Sequence, residues 1–382
     1  RELDWEGSNG NNHHSRSPLA TAILNFCFLI VYLFTLSTIY IWNSNTFIPT
    51  VLFLSHVRPD QFYPWNDGRD YAKICTLTKQ YIGQTNAKPL ILYGAHGGMG
   101  HKYKSFLCGI AYAISGKRPV KIYMPEGFRN VTSPCFADRF GEDLSGIRVC
   151  NKSNPCLTET NRVIDVSSQL ESEVIAFDDE RHPLLLVANR TIISDLKAYG
   201  ILRPNDTFYD YNKVMLRLFL NPSIDLRYLI MQERRRFFAQ RPVLGVQIRT
   251  AGRLADKKES MSFINETALQ EIPQLILDTI VKFQFSGTLK GIYLSTDSPL
   301  AENLIHRTIG MYYPILTTNL FRRYHTIDDP DDSIVKRAII DVFMLAACDG
   351  LLTTKGSGFG ALSSTLTATH KKAEIPVTRQ LV

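Results

Sequence analysis

Residues 333–366 read SIVKRAIIDVFMLAACDGLLTTKGSGFGALSSTL, and this stretch sets the class of fold. Its apolar side chains recur at helical spacing and predict a helix from Ser333 to about Cys348. The short run LLTT (351–354) predicts a strand, and the glycine-rich turn KGSGFG then opens a second helix. A helix, a strand, a glycine turn and a helix in this order predict one segment of a parallel α/β sheet.

The same alternation extends towards the N-terminus. The pattern predicts strands at 89–94, 120–125, 244–249, 291–296 and 313–318, and helices at 267–284 and 299–308. Residues 211–242 are mainly helical in pattern, with a break at Asn221-Pro222. Repeated alternation of this kind predicts a doubly wound parallel sheet, and two such halves predict an α/β fold of two Rossmann-like domains facing a cleft.

Composition is that of a globular protein and argues against nucleic-acid binding. The 382 residues are 45% hydrophobic and 21% charged, which suits two domains of ordinary size. The net charge of +7 is modest, and basic residues are dispersed apart from Arg234-Arg235-Arg236. Because no basic run is interleaved with aromatic residues, we expect no nucleic-acid partner.

The N-terminal region contains a candidate membrane anchor. Residues 19–42 (LATAILNFCFLIVYLFTLSTIYIW) carry no charge and are long enough to cross a bilayer core of about 30 Å as a helix. A cleaved signal peptide is the alternative, although no small-residue cleavage site ends the run. The predicted organisation is a cytoplasmic tail at 1–18, an anchor at 19–42, a stem at 43–67, and α/β domains at 68–235 and 236–382.

Glycosylation sequons and cysteines bear on which side of the membrane the body lies. Five N-x-[ST] sequons follow the apolar run and none precedes it, which favours a lumenal body. They begin at Asn130, Asn151, Asn189, Asn205 and Asn265. Cys108 and Cys348 lie in apolar helical patterns and are expected to be buried thiols. The four cysteines 75, 135, 150 and 156 allow three disulfide pairings, which the sequence does not rank.

Polar and glycine residues follow four of the predicted strands. In parallel sheets, ligands bind at the carboxyl ends of strands, so these residues are the candidate site. They are Gly97 to His101, then Gln247, Arg249 and Thr250, then Ser295 to Ser298, and finally Lys355 to Gly360. Helix N-termini at glycine turns bind phosphate, and an arginine offers a charged fork to phosphate oxygens. The set predicts a nucleotide diphosphate site.

Each of these features also has a structural explanation. Either glycine turn can be a tight turn without a ligand, and Asp297 can be a helix N-cap before Ser298-Pro299. Arg249 can form a salt bridge within the protein. It is the occurrence of all four at strand ends that favours a binding site.

The order of these motifs resembles the fucosyltransferase superfamily that uses GDP-fucose. GAHGGMGHKYKSFLCGIAYAI (94–114) resembles the family's N-terminal loop and helix, and RLFLNPS (217–223) and GVQIRT (245–250) are closest to plant cell-wall enzymes. KRAIIDVFMLAACDGLLTTKGSGFG (336–360) resembles the family's last motif. The resemblance implies a GT-B-like fold with an acceptor-side domain at 68–235 and a donor domain at 236–382.

The resemblance also implies roles for individual residues. Arg249 would contact the β-phosphate of GDP-fucose and act in catalysis, and Asp297 would contact the guanine or ribose. The other donor-binding positions are Gly98, Gly100, His101, Gln247, Thr250, Ser357, Gly358 and Phe359. No metal or cofactor is implied, since Arg249 and a helix N-terminus would take the place of a cation.

Several positions depart from the family pattern. Gln247 stands where many members have His, Thr250 where they have a second Arg, Gly252 where they have Asp, and His101 where they have Asn. The implied activity is inverting transfer of fucose to a glycan hydroxyl by a Golgi type II membrane protein. The alternatives are a metal-independent transferase with another nucleotide sugar and a non-enzymatic carbohydrate-binding protein.

Overall fold

The computed structural model describes residues 67–82, 90–93, 99–117, 119–123, 128, 135, 176–177, 190–251, 261–318, 332–377 and 380–381. The predicted anchor at 19–42, nearly all of the stem and the sequons at Asn130, Asn151 and Asn189 lie outside these residues. Among the helices within them, none combines the length and apolar composition that crossing a membrane requires.

The first half of the described chain contains a parallel sheet of three strands. Strands β1 (Leu90–Tyr93), β2 (Val120–Tyr123) and β3 (Ala176–Phe177) lie in the order β2-β1-β3. Helix α1 (Tyr71–Tyr81) precedes the sheet, helix α2 (Met99–Ser115) connects β1 to β2, and helix α3 (Arg190–Ala198) follows β3. The predicted strands at 89–94 and 120–125 and the helix between them are confirmed.

Helix α2 forms because its apolar residues share one face. Tyr103, Phe106, Leu107, Ile110 and Ile114 recur at three- and four-residue spacing and are all buried. The last turn ends at Ser115, and Lys117 then takes a positive φ of 52°. The N-terminal end of α2 lies at the carboxyl end of β1, as a βαβ connection requires.

Two helices join the halves of the described chain. Helix α4 (Phe208–Phe219) and helix α5 (Ile224–Phe237) are separated by a break that contains the Asn221-Pro222 pair, as the sequence predicts. At the start of α4, the Asp210 carboxylate accepts the backbone N–H of Thr207 at 2.7 Å. This contact satisfies one of the donors left unpaired at a helix N-terminus.

The second sheet has five parallel strands with β4 at its centre. Strands β4 (Val243–Ile248), β6 (Gly291–Thr296), β7 (Ile315–Leu316), β8 (Gly350–Thr354) and β9 (Lys372–Ile375) lie in the order β7-β6-β4-β8-β9. Helices α6 (Glu266–Lys282), α7 (Pro299–Thr308), α8 (Asp332–Ala346) and α9 (Gly358–Leu366) connect or follow these strands. A separate antiparallel pair joins β5 (Met261–Ser262) to β10 (Gln380–Leu381). The reversal of strand order beside β4 is that of a doubly wound sheet.

Side chains of the central strand alternate between two apolar cores. Leu244, Val246 and Ile248 pack into a core with α6 and α7, whereas Val243 belongs to the core on the opposite face. That second core contains residues of α8 and α9 together with residues of α2 and α4. The halves of the described chain therefore share one hydrophobic core. The predicted boundary at 235/236 falls within α5, and the division into two domains stays a prediction.

The structure shows the state of three cysteines. Cys75 in α1 and Cys135 form a disulfide with a Cα–Cα distance of 5.9 Å, which selects one of the open pairings. Cys348 is a buried free thiol, as predicted, and burial raises its pKa. Cys150 and Cys156 lie outside the described residues, as does the side chain of Cys108.

A cluster of charged side chains fastens the segment before α1 to the turn before α4. The Arg69 guanidinium donates to both oxygens of Asp206 at 2.6 and 2.8 Å, and its Nε donates to Asp67 at 2.9 Å. The backbone N–H of Arg203 also donates to Asp206 at 2.7 Å. We call Asp67, Arg69 and Asp206 the anchor cluster. Its bidentate geometry is the strong form of an arginine–carboxylate pair.

Candidate functional site

The carboxyl edge of the five-stranded sheet brings together residues from three strands. Strand β4 leads into Arg249, Thr250 and Ala251, strand β6 leads into Asp297, and strand β8 leads into the glycine turn before α9. β4 and β6 pair in register up to Ile248↔Thr296, so the residues that follow each strand are neighbours. The sheet topology alone therefore places Arg249 beside Asp297.

Asp297 is the centre of this arrangement. Its Oδ1 accepts the backbone N–H of Thr250 at 2.9 Å and the Thr250 hydroxyl at 3.0 Å. Its Oδ2 accepts Nη1 of Arg249 at 2.6 Å and the backbone N–H of Ala251 at 3.1 Å. We call Arg249, Thr250, Ala251 and Asp297 the strand-end cluster. Arg249 thus has an acidic partner within the protein. The sequence allowed such a salt bridge as the alternative explanation to phosphate binding.

The turn held by Asp297 has an unusual backbone conformation. Ala251 is fully buried and has a φ of 53°, in the left-handed region that residues with a Cβ rarely adopt. Such a conformation costs about 1–2 kcal/mol for a residue other than glycine. The N–H of Ala251 donates to Asp297 in this conformation, so the carboxylate helps to hold the turn.

Thr354, at the end of β8, forms hydrogen bonds with the end of the neighbouring strand β4. Its hydroxyl accepts the backbone N–H of Arg249 at 2.8 Å and donates to the carbonyl of Gln247 at 3.2 Å. Its own N–H donates to Oε1 of the Gln247 side chain at 3.2 Å. Gln247, a predicted donor-binding residue, is 3% exposed and engaged with β8, and its contact with a ligand stays a prediction.

The turn after β8 begins α9 with a well-formed cap. Ser357 is the N-cap, and its hydroxyl accepts the N–H of Gly360 at 3.2 Å. A hydroxyl that accepts one hydrogen bond can still donate one, so this contact is compatible with the predicted phosphate-binding role of Ser357. Phe359 is partly buried against the shared core, and Gly358 is buried.

Two helix N-termini meet at Gly100 and Gly358. A Cβ atom built on Gly100, in the first turn of α2, would lie 2.2 Å from the carbonyl carbon of Gly358 in the first turn of α9. Any side chain at this position would overlap the facing backbone, so the contact requires glycine. The N-terminal ends of α2 and α9 therefore concentrate positive partial charge at one place near the end of β8.

One interpretation of the sequence made Asp297 the N-cap of α7, but the cap lies one residue later. The N-cap is Ser298, whose hydroxyl accepts the N–H of Ala301 at 3.3 Å, and Pro299 follows as the first helical residue. Asp297 is thus not the cap of α7. Its carboxylate accepts hydrogen bonds from Arg249, Thr250 and Ala251 instead.

Two groups near the site were not foreseen. Phe263, directly after β5, has its ring centre 5.9 Å from Cζ of Arg249, and its N–H donates to the carbonyl of Thr250 at 2.8 Å. No sequence signal marked Phe263, because β5 has only two residues. The second group lies on the sheet face that carries α8.

That second group is a buried polar network around Asp341. Asp341 accepts from the Tyr293 hydroxyl at 2.5 Å, from the Ser295 hydroxyl at 3.0 Å and from Nε of Arg337 at 3.1 Å. Burial, together with the charge of Asp341, raises the pKa of Tyr293 well above its ordinary value, so the phenol stays protonated. The Arg337 and Asp341 spacing of four residues on an apolar helix was the available signal for this pair.

The remaining predicted site residues are only partly described. Gly98 lies outside the described residues, and His101 belongs to α2, with its side chain outside the description. Among the residues that the structure describes, no three His, Cys, Asp or Glu side chains group as ligands for a metal ion. The structure brings Gln247, Arg249, Thr250 and Asp297 to one edge of the sheet, beside the turn that contains Ser357 and Gly358.

Comparisons with known proteins give structural neighbours and no sequence match. No family model and no curated protein matches the chain. A mutant of FUT1 from Arabidopsis thaliana in complex with GDP is 12% identical, with 79% of this chain and 74% of that chain covered and a TM-score of 0.49. Fucosyltransferase NodZ from Bradyrhizobium (12% identity, coverage 77% and 99%, TM-score 0.40) and POFUT1 in complex with GDP (12%, 76% and 99%, 0.41) are also similar.

These likenesses are distant, with every quoted TM-score below 0.5. A likeness of this degree does not by itself assign an activity to the chain, so function is inferred from its own residues. NodZ is described as a fucosyltransferase, and the FUT1 mutant and POFUT1 are complexes with GDP.

Proposed function

We propose that this protein transfers fucose from GDP-fucose to a hydroxyl group of a glycan acceptor, with inversion at the anomeric carbon. The observation that carries the proposal is the convergence at one sheet edge of Arg249 with the N-terminal ends of α2 and α9. The order of the motifs along the chain, which resembles that of GDP-fucose enzymes, supports the choice of nucleotide sugar.

The diphosphate is the part of the donor that this edge suits best. A guanidinium is permanently charged and matches the geometry of phosphate oxygens, and Arg249 is held at the end of the central strand. The N-termini of α2 and α9 add backbone N–H groups and positive dipole ends beside it. We assign the β-phosphate to Arg249 and to the turn at Ser357 and Gly358.

The chemistry requires stabilisation of the leaving group. The acceptor oxygen forms a bond to the anomeric carbon as the bond to the β-phosphate oxygen breaks. The proton of the acceptor hydroxyl is released to water, so the products are the fucoside, GDP and a proton. Negative charge then grows on the diphosphate. Donors fixed in place before the reaction stabilise this charge more in the transition state than in the ground state, which is the condition for catalysis. Arg249 is the residue to which we assign this role.

We further propose that the protein is a Golgi type II membrane protein with a lumenal body. The uncharged run at 19–42 supports an anchor, and the disulfide between Cys75 and Cys135 supports an oxidising compartment. Of the two sequons that are described, the one at Asn205 has an exposed asparagine in the turn before α4, as attachment of an oligosaccharide requires. Detection of a glycan on Asn205 by mass spectrometry would test the location.

The activity is tested on the full chain purified in detergent. The protein is incubated with a mixed glycan array and, in separate reactions, with GDP-fucose, GDP-mannose, UDP-glucose and UDP-galactose, and nucleotide release is measured. We expect turnover with GDP-fucose and a decrease of at least about 100-fold in kcat/KM for Arg249→Ala. Arg249→Lys keeps the charge but loses the planar fork, so its loss is expected to be smaller.

Arg307→Ala is the matched control, because Arg307 is an exposed arginine of α7. It should behave like the unchanged protein. Preference for another nucleotide sugar would contradict the assigned donor. Glycan binding without any nucleotide binding would contradict the enzymatic proposal altogether, and full activity of Arg249→Ala would remove the role of that residue.

A further inference from the structure

Asp297 is saturated with hydrogen bonds from its own chain. A carboxylate offers about four acceptor directions over its two oxygens. Thr250 occupies Oδ1 with two donors, and Arg249 and Ala251 occupy Oδ2 with one each. A ribose hydroxyl or a guanine N–H would have to displace one of these donors. The contact with the guanine or ribose that the resemblance implied for Asp297 is therefore disfavoured by its present partners.

All four donors come from one three-residue segment, and Asp297 itself is held from both sides. It follows β6, which is paired with β4 along its whole length, and it precedes Ser298-Pro299, where the capped N-terminus of α7 begins. Asp297 is thus the fixed partner in the strand-end cluster. The segment 249–251, which contains the left-handed residue Ala251, is the part that it holds.

We infer that Asp297 is a positioning residue, which orients the Arg249 guanidinium and fixes the turn at Thr250 and Ala251 without touching the nucleotide sugar. The kinetic part of this inference rests on the proposed function. Arginine has a long, flexible side chain, and an oriented cation stabilises the developing charge without reorganising during the reaction. The carboxylate also places a negative charge beside the diphosphate, which weakens ground-state attraction for the donor.

These two effects predict a split between kcat and KM. Asp297→Asn keeps the shape of the side chain, removes its charge and turns one acceptor oxygen into a donor. We expect kcat to fall about 10- to 100-fold, with KM for GDP-fucose and Kd for GDP changed by less than about threefold. If Asp297 contacted the guanine or ribose, Asp297→Asn would instead weaken GDP binding. The substitution would also alter the preference for GDP over inosine diphosphate or 2′-deoxy-GDP.

A double-mutant cycle tests whether Asp297 acts through Arg249. If it does, adding Asp297→Asn to Arg249→Ala should lower kcat/KM by less than about threefold beyond the single Arg249→Ala change. Independent contacts with the ligand would give multiplied effects. Asp278→Asn makes the same substitution at an exposed position of α6 and serves as the control, with no change expected.

A structural measurement separates this inference from the proposed function. Amide hydrogen exchange at residues 250 and 251 should become at least about tenfold faster in Asp297→Asn, whether or not GDP-fucose is the donor. A crystal structure of the variant should show Arg249 displaced. If the protein without substitutions does not turn over GDP-fucose, the proposed function is wrong. If the amides of residues 250 and 251 exchange as slowly in Asp297→Asn as in that protein, the positioning role is wrong.

Thr250→Val provides a milder variant if Asp297→Asn does not fold. It removes only the hydroxyl donor to Asp297 and keeps the size of this buried side chain. We expect a two- to fivefold decrease in kcat, with Kd for GDP unchanged. This decrease corresponds to an increase of about 0.5–1 kcal/mol in the activation free energy. Weaker GDP binding with unchanged kcat would contradict the inference.

Discussion

The anchor cluster and the strand-end cluster both pair an arginine with an aspartate, but the central residue differs. In the anchor cluster the arginine is central, since Arg69 donates to two carboxylates from distant parts of the chain. In the strand-end cluster the aspartate is central, since Asp297 accepts from three consecutive residues. The first arrangement joins the segment before α1 to the turn before α4, and the second joins the ends of β4 and β6 and shapes one short turn.

Exposure separates the two clusters less clearly than geometry does, because Asp67 of the anchor cluster is 20% exposed. The side chains of Arg69 and Asp206 are 8% and 9% exposed, whereas those of Arg249 and Asp297 are 13% and 15% exposed. In a pair that is shielded from water, removal of one partner is strongly destabilising, because it leaves an uncompensated buried charge. A pair that serves a ligand has to stay accessible. The geometry around each salt bridge therefore indicates its role better than its N–O distance, which is 2.6 Å for both pairs.

The largest effect is expected from breaking the anchor cluster. Arg69→Met leaves Asp206 without its bidentate partner and should lower the free energy of unfolding by about 3–5 kcal/mol. Urea denaturation measures this value, with Arg307→Met as the exposed control. The activity of the remaining folded molecules should be unchanged, and a selective loss of activity would mean that the anchor cluster serves the site as well.

A comparable effect is expected where the strand-end cluster borders the helix N-termini. Gly100→Ala introduces a Cβ 2.2 Å from the backbone of Gly358 and should destabilise the fold by about 3 kcal/mol through overpacking. Gly287→Ala is the comparison variant, because its Cβ would meet no atom of the described residues within 4 Å, and the φ of 74° is what disfavours alanine there. That variant should lose about 1 kcal/mol in the same denaturation experiment. Equal losses would show that the close contact is not the cause.

An intermediate and pH-dependent effect is expected at Asp206. Burial alone would raise the pKa of Asp206, but the hydrogen bonds from Arg69 and Arg203 outweigh it and hold the pKa below its ordinary value. A carboxyl group with a lowered pKa stabilises the fold above its unfolded pKa of about 3.9 and loses that contribution as pH falls through the folded pKa. Asp206→Asn should therefore cost about 2 kcal/mol at pH 7.

The cost of Asp206→Asn should shrink steadily between pH 5 and the acid limit of folding. Denaturation curves of both proteins across this range check the trend. A penalty that does not depend on pH would show that the hydrogen-bond geometry matters and the charge does not.

The smallest effect is expected at a carboxyl that lacks such partners. Glu233 of α5 is 4% exposed, its Oε2 has no hydrogen-bond partner among the described residues, and Arg236 lies 3.7 Å from Oε1. Burial raises its pKa despite nearby arginines, so the charged form costs stability as pH rises through the folded pKa. Glu233→Gln should stabilise the protein by about 1 kcal/mol at pH 7 and by less at pH 4. Destabilisation at pH 7 would mean that its attraction to Arg236 outweighs burial.

Much of the second sheet was predictable because its strands are short, apolar and separated by amphipathic helices. The predictions for 244–249, 291–296 and 351–354 correspond to β4, β6 and β8 within one residue at each end. Strand β9 escaped notice because it lies at the sheet edge, where only Ile375 is buried and no apolar run forms.

The grouping of residues at the candidate site followed from the same pattern, but the hydrogen bonds among them did not. Strand ends identified Arg249 and Asp297 as neighbours, since parallel strands bring their carboxyl ends to one edge. The role of Asp297 depends on which donors reach its two oxygens, and those distances are set by the backbone of Thr250 and Ala251. The pairing of Cys75 with Cys135 likewise depends on how close α1 comes to residue 135.

The core shared by α2, α4, α8 and α9 restricts how such a protein can be recombined. A donor domain that is folded on its own can be exchanged between relatives as a module, carrying its specificity with it. Here the interior face of one half is completed by side chains of the other, and Gly100 and Gly358 touch backbone to backbone. A new specificity would have to arise through changes in loops around an unchanged interior, because a transplanted half would bring an apolar surface that no longer fits.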